Sequence, residues 1–226
     1  ILEVNLLLLF LPRRLKHPMN HEEKLQVSAS MTHIIIRGMQ EYLGQSGFDQ
    51  LFECCGLTRF TGSGQLVENR SGLRYTEIQA MQQALEDIYG AQGARGAAIR
   101  SGRSALCYFL KVYGESAGFN ELDFRLLPPR RRVQVGLERL AQVIGGEIGQ
   151  TIHVQTVENA WTLQIEHCPE CWGMHSSNSV CYFTVGILQE FLSWLSGGRV
   201  YLVEETACRA KGDPACIIRV GKKPLD

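Results

Sequence analysis

Net charge is missing from this sequence: 23 Lys+Arg stand against 23 Asp+Glu over 226 residues. That balance excludes a mainly electrostatic grip on nucleic acid or an anionic membrane, and it predicts recognition by shape and apolar contact. A membrane-length hydrophobic run is missing too. The run Leu6 to Leu11 is far shorter than the roughly 20 apolar residues that span a bilayer. Glu3 precedes it and Arg13, Arg14 and Lys16 follow it, the reverse of a secretory signal. There is no P-loop, no G-x-S-x-G elbow and no Ser-His-Asp order, so neither phosphoryl transfer nor serine hydrolysis is indicated. Internal repeats and low-complexity linkers are lacking as well, which points to one folded unit. With 45% hydrophobic and 20% charged residues, the chain can bury one good core.

The first half reads as helical. Ile35, Met39 and Tyr42 recur at helical spacing between Met31 and Leu43, then Gly44 and Gly47 break the pattern. A shorter helical piece covers Phe48 to Cys55, and the Gly-rich, polar stretch TGSGQLVENRSG reads as an exposed loop. Thr76 and Gln79 suggest a capping box for a helix carrying Ile78, Met81, Leu85 and Ile88 and ending near Gly90. Gly90, Gly93 and Gly96 follow a helix rather than a strand, so they suggest a small-residue packing face rather than a dinucleotide fingerprint. After Pro128-Pro129 a further helix carries Val133, Leu137, Leu140, Ile144 and Ile148. Arg130, Arg131 and Arg132 in its first turn oppose the macrodipole; they read as a solvated cluster or a contact for a carboxylate.

The period then changes to two. Ile152, Val154 and Thr156 alternate with polar neighbours, as do Trp161, Leu163 and Ile165, and Glu158-Asn159 lies between them. This predicts an antiparallel hairpin. A helix from about Val180 to Leu195 closes at Gly197-Gly198, and RVYLVEE and ACIIRV read as two more strands. The expected fold is α+β, an antiparallel four-stranded sheet with a layer of helices on one face, in a single domain. Residues 1–30 are expected to be a tail, disordered or preceding the native start, 31–221 the folded domain and 222–226 a short terminal tail.

Eight cysteines are the unusual abundance. In a reducing, cytoplasmic setting they are more naturally thiols or metal ligands than disulfides. Cys54, Cys55 and Cys107 fall on apolar helical stretches and read as core. Cys168 and Cys171 form C-P-E-C after the second strand, Cys181 opens the following helix, and Cys208 and Cys216 flank the last turn with Glu205 three residues before. The strand pattern brings Glu205, Cys208 and Cys216 to one end of the sheet, as a metal such as zinc requires. Inert buried thiols, a redox pair at Cys168 and Cys171, and an iron–sulfur cluster are the competing readings. His175 is a further candidate ligand.

CPECWG, VCYFTVGILQEFLSWLSGG and VEETACRAKGDPACIIRV together resemble the 4-vinyl reductase domain family. That family is related to the vesicle-transport particle subunit fold and to aromatic-sensing domains of bacterial transcription activators. The resemblance implies a helical layer on an antiparallel sheet, a closed pocket for a small hydrophobic ligand, and often a homodimer. It implies a zinc held by Cys181, Glu205, Cys208 and Cys216, with Cys168 and Cys171 as alternative ligands, and Trp161 as a pocket residue. The ligand it implies is a tetrapyrrole such as a chlorophyll precursor, in a photosynthetic setting. The function expected is therefore a zinc-stabilised carrier, sensor or assembly factor, signalling through another protein and without catalytic residues. A reductase acting on divinyl tetrapyrroles and a thiol redox sensor are the alternatives.

Overall fold

The computed structural model describes residues 25–61 and 71–226. The amino-terminal run and most of the loop expected at 61–72 fall outside the described residues.

Helix α1, Ala29–Cys54, begins where the Ser28 side chain accepts a hydrogen bond from the Met31 N–H at 3.0 Å. Gly44, at φ 68° and ψ 171°, kinks it, so the two helical pieces expected either side of the glycines are one element with a bend. Helix α2, Tyr75–Tyr113, behaves likewise at Gly90, with φ 68° and ψ 167°. Gly90 was expected to end the helix, but the chain departs at one residue and then resumes. At both kinks an added Cβ would meet nothing within 4 Å, so the backbone conformation rather than space requires glycine there.

The amino terminus of α2 also differs from expectation. The capping pair is Arg74 and Glu77 rather than Thr76 and Gln79: the Glu77 carboxylate accepts the Arg74 N–H at 2.9 Å. The same carboxylate meets the Arg59 guanidinium at 2.7 Å and that of Arg74 at 2.8 Å. Burial alone raises the pKa of Glu77, but the hydrogen bonds from Arg59 and Arg74 overcome it and hold the carboxyl down at about 2. Its folded pKa lies below the ordinary 4.5, so its contribution is complete above about pH 4.5 and is lost as pH falls towards 2. Glu77→Gln is expected to destabilise the protein by about 2 kcal/mol at neutral pH, the exposed arginines being partly screened. Urea unfolding of both proteins at pH 7 and pH 3 checks this, since the difference must shrink at the lower pH.

A single turn, α3 (Leu122–Arg125), leads to α4, Pro129–Glu147, which starts with proline at N1 and buries Val133, Leu137 and Leu140. The hairpin then forms as its alternation requires: β1 (Ile152–Thr156) pairs with β2 (Ala160–Ile165), Val154 opposite Leu163. Helix α5, Tyr182–Ser196, is closed by Gly197 in the left-handed region at φ 76°. β3 (Tyr201–Ala207) and β4 (Cys216–Pro224) complete an antiparallel sheet in the order β1-β2-β4-β3. The α+β single-domain arrangement of four strands and a helix layer is the one the sequence predicts.

One face of the sheet is buried through Trp161, Leu163, Ile165, Val203, Ile218 and Val220, while Thr162, Gln164, Arg219 and Glu204 alternate with them on the other. Arg219 and Glu204 pair there at 3.1 Å. Helix α5 is apolar on most sides, with Phe183, Val185, Ile187, Leu188, Phe191 and Leu192 all buried. Such a helix must lie inside the molecule, and α5 packs against α2, α4 and β3. The approach of α2 and α5 is close. A Cβ at Gly102 would stand 2.1 Å from the Phe183 carbonyl oxygen, and one at Gly186 would stand 2.1 Å from that of Ile99.

Among the described residues no helix is long and apolar enough to cross a membrane. Cys54 and Cys107 are exposed and Cys55 is half-buried, which corrects the core reading of these three. Cys107 lies on the outward side of α2, whose inward side at this turn is Ala105, Leu106 and Phe109.

Candidate metal centre and adjoining cavity

Register places the cysteines. Ile165, the last residue of β2, pairs with Cys216, the first of β4, so the C-P-E-C turn after β2 begins beside Cys216. On the other side β4 pairs with β3, which carries Glu205 and ends just before Cys208. Cys181 sits at the N-cap of α5 and donates its N–H to the Glu205 carboxylate at 2.9 Å. Three chain segments and one helix end therefore meet at one end of the sheet.

Five thiols and one carboxylate gather there. Sulfur–sulfur separations are 3.4 Å for Cys168 and Cys181, 3.3 Å for Cys171 and Cys216, and 3.7 Å for Cys181 and Cys216. Two four-donor groups have all their ligand atoms within 4.8 Å: Cys168, Cys171, Cys181 and Cys216, and Cys181, Glu205, Cys208 and Cys216. The C-x2-C pair, which the sequence left apart, lies against the other cysteines. Among the described residues no histidine joins either group, His175 included.

The donors fit a metal chemically. All five sulfurs are buried, and a second oxygen of Glu205, Oε1, is buried with no hydrogen-bond partner among the described residues. An orphaned carboxylate oxygen beside thiols is satisfied by a cation. The thiols share their protons unequally. A hydrogen bond from Cys171, with a second from Cys181, lowers Cys208 to about 6, and one from Cys168 lowers Cys216. Cys171 and Cys181 are raised, each foremost through its hydrogen bond with Cys168. The Arg209 N–H reaches the Cys216 sulfur at 3.4 Å, and the Cys208 N–H is held by Asp213 at 2.8 Å, which fixes the turn between them.

Glu170, between the two cysteines of C-P-E-C, was not foreseen. Its carboxylate accepts the Phe183 and Thr184 N–H groups at 2.9 and 3.0 Å and the Thr184 hydroxyl, capping α5 from a separate segment. Burial pushes its pKa up to about 8. Burial likewise raises Glu205 to about 7.

Next to the cluster lies an apolar cavity of about 70 Å³. Met31 and Met39 of α1, Met81 of α2 and Phe183 and Ile187 of α5 line it, and Cys168, Pro169 and Glu170 close one side. Trp161 is 1% exposed, and its indole N–H has no partner among the described residues, but it does not line this cavity. The position lies on β2, opposite Val220 of β4.

Fold and site together define an α+β domain with a potential metal-binding cysteine cluster beside a partly open apolar cavity. Residues 161–222, which hold every donor of that cluster, match the V4R domain family. No curated protein gives a significant sequence match. Among solved structures, one from a study of heme distortion in the H-NOX family is 13% identical, with a TM-score of 0.54 over 88% of this chain and 97% of that one. A mutant of the T. tengcongensis H-NOX protein is also 13% identical, with a TM-score of 0.53 over 88% of this chain and 100% of that one. The phenol-responsive sensory domain of the transcription activator PoxR, with phenol, is 18% identical, with a TM-score of 0.47 over 66% of this chain and 74% of that one. The chain is thus similar in fold to H-NOX structures, and its match to the V4R domain family is confined to residues 161–222.

Proposed function

We propose that this chain is a metal-stabilised domain that binds a small hydrophobic molecule between its helices, as a sensor or carrier. One observation carries the reading: Cys168 contributes both to the wall of the cavity and to the sulfur cluster, and the adjoining Pro169 and Glu170 also line the cavity. A molecule entering the cavity presses on the segment that supplies two thiols and caps α5. The lining supports apolar recognition, and three methionines give it an adaptable wall.

Size bounds the ligand. An engineered dry cavity of about 150 Å³ accepts benzene, and this one is about 70 Å³. A monatomic or few-atom apolar probe fits as it stands, a single ring fits if the methionines shift, and a tetrapyrrole requires the helices to part. Expected results are therefore xenon occupancy of the cavity under pressure and a rise in melting temperature with benzene. At a benzene concentration 100 times its dissociation constant the rise corresponds to about 2.7 kcal/mol. Ile35→Trp, which fills the cavity from its partly exposed side, should remove both effects. No xenon uptake and no benzene response in the unaltered protein would contradict the ligand-binding reading.

A further inference from the structure

Six donors converge where a single tetrahedral ion takes four. We propose that the site holds two divalent metal ions of zinc-like preference, bridged by the thiolates of Cys181 and Cys216. This rests on the reading of the cluster as a metal centre and extends it. Cys168 and Cys171 are the outer ligands of one ion, and Glu205 and Cys208 those of the other.

The two four-donor groups share two members, Cys181 and Cys216. Two tetrahedra that share an edge need six ligands in that division, two common and two on each side. A tetrahedron with arms of about 2.3 Å, the zinc–sulfur bond, has edges of about 3.8 Å. The shared sulfurs are 3.7 Å apart. The outer thiols of one ion lie against the bridging pair, Cys168 at 3.4 Å from Cys181 and Cys171 at 3.3 Å from Cys216.

One ion alone leaves donors stranded on either side. Placed among the four cysteines, it leaves the buried Oε1 of Glu205 unpartnered and Cys208 fully buried beside it. Placed at Glu205 and Cys208, it leaves Cys168 and Cys171, 1% and 2% exposed, in contact with sulfurs it has already claimed. Two divalent ions satisfy all six donors and offset most of their negative charge. The bridging positions are also the braced ones. Cys181 stands at the positive end of α5, and the Arg209 N–H points at Cys216.

Cobalt(II) reads out both number and bridging. Reduced, metal-free full-length protein titrated anaerobically with Co²⁺ should take up two equivalents. Its paramagnetic resonance signal should grow over the first equivalent and collapse over the second, because a thiolate bridge couples the two spins. Cys168→Ser/Cys171→Ser should retain one ion, with an undiminished signal, and so should Glu205→Gln/Cys208→Ser. A wild-type stoichiometry of one overturns the second ion and leaves the metal centre standing. No uptake overturns both. Two equivalents with additive, uncoupled signals overturn the bridge.

Discussion

Gly186→Ala is expected to destabilise the protein by about 3 kcal/mol, while Gly96→Ala, on the partner helix, is expected to stabilise it by about 0.5 kcal/mol. Both add one methyl group to a helix. At Gly186 that methyl would stand 2.1 Å from the Ile99 carbonyl oxygen, and that neighbour is backbone, which cannot rotate away. The helices must separate, and the reciprocal contact of Gly102 with Phe183 is lost with them. At Gly96 the methyl meets nothing within 4 Å, so only the reduced entropy of the unfolded chain remains. For a chain of this size the two changes correspond to a fall of about 6–12 °C and a rise of about 1–2 °C in melting temperature. Calorimetry of both variants checks the pair. A mild effect at Gly186 would mean that α2 and α5 do not cross as closely as described. The crossing also positions the cavity, because Phe183 and Ile187 flank Gly186 and Ala98 adjoins Ile99. Gly186→Ala is therefore expected to weaken benzene binding as well.

Those two glycines show where sequence reasoning stops. The spacing of Gly90, Gly93 and Gly96 suggests a packing face, but a Cβ at Gly90 or Gly96 would meet nothing within 4 Å and one at Gly93 would meet only Tyr89 of the same helix; the close approach falls one to two turns later, at Gly102. Which glycine touches the neighbour depends on where α5 arrives from, nearly a hundred residues later. The sheet is easier to read, because Ile152, Val154, Leu163 and Ile165 alternate on a half-buried surface and that alternation is local. The start of α2 was misread for the opposite reason. Its cap relies on Glu77, whose charge is held by Arg59 across an intervening loop, so the chemistry that decides the boundary is tertiary. Gly90 misled because the apolar period stops at a kink whether or not the helix resumes.

The metal centre divides in the same way. Glu205, Cys208 and Cys216 are recognisable because two strands and a turn bring them together within twelve residues. The proximity of Cys168 and Cys171 follows only from the pairing of Ile165 with Cys216, a register that no short window contains. Glu170 left no signal at all. A glutamate between two cysteines looks like a solvated loop residue until the amino terminus of α5 is placed over it.

Cys216→Ser is expected to lose all bound metal and at least about 4 kcal/mol of stability, more than Gly186→Ala at the helix crossing. Cys216 belongs to both four-donor groups, so its loss leaves neither complete. The cluster also ties together segments with little regular structure of their own, 166–174 and the turn between β3 and β4. Metal binding that organises such segments is folding free energy; structural zinc in small peptides supplies about 10–16 kcal/mol. Without the ion the remaining thiols and Glu205 stay crowded and buried, and their charge has no counterion. Cys54→Ser is the matched control: the residue is exposed, and an effect within about 0.5 kcal/mol is expected. Metal analysis and urea unfolding of the two variants, with and without a chelator, separate the outcomes. The chelator should bring wild type down towards Cys216→Ser and leave Cys216→Ser where it was. If it lowers both equally, the stabilising ion sits elsewhere.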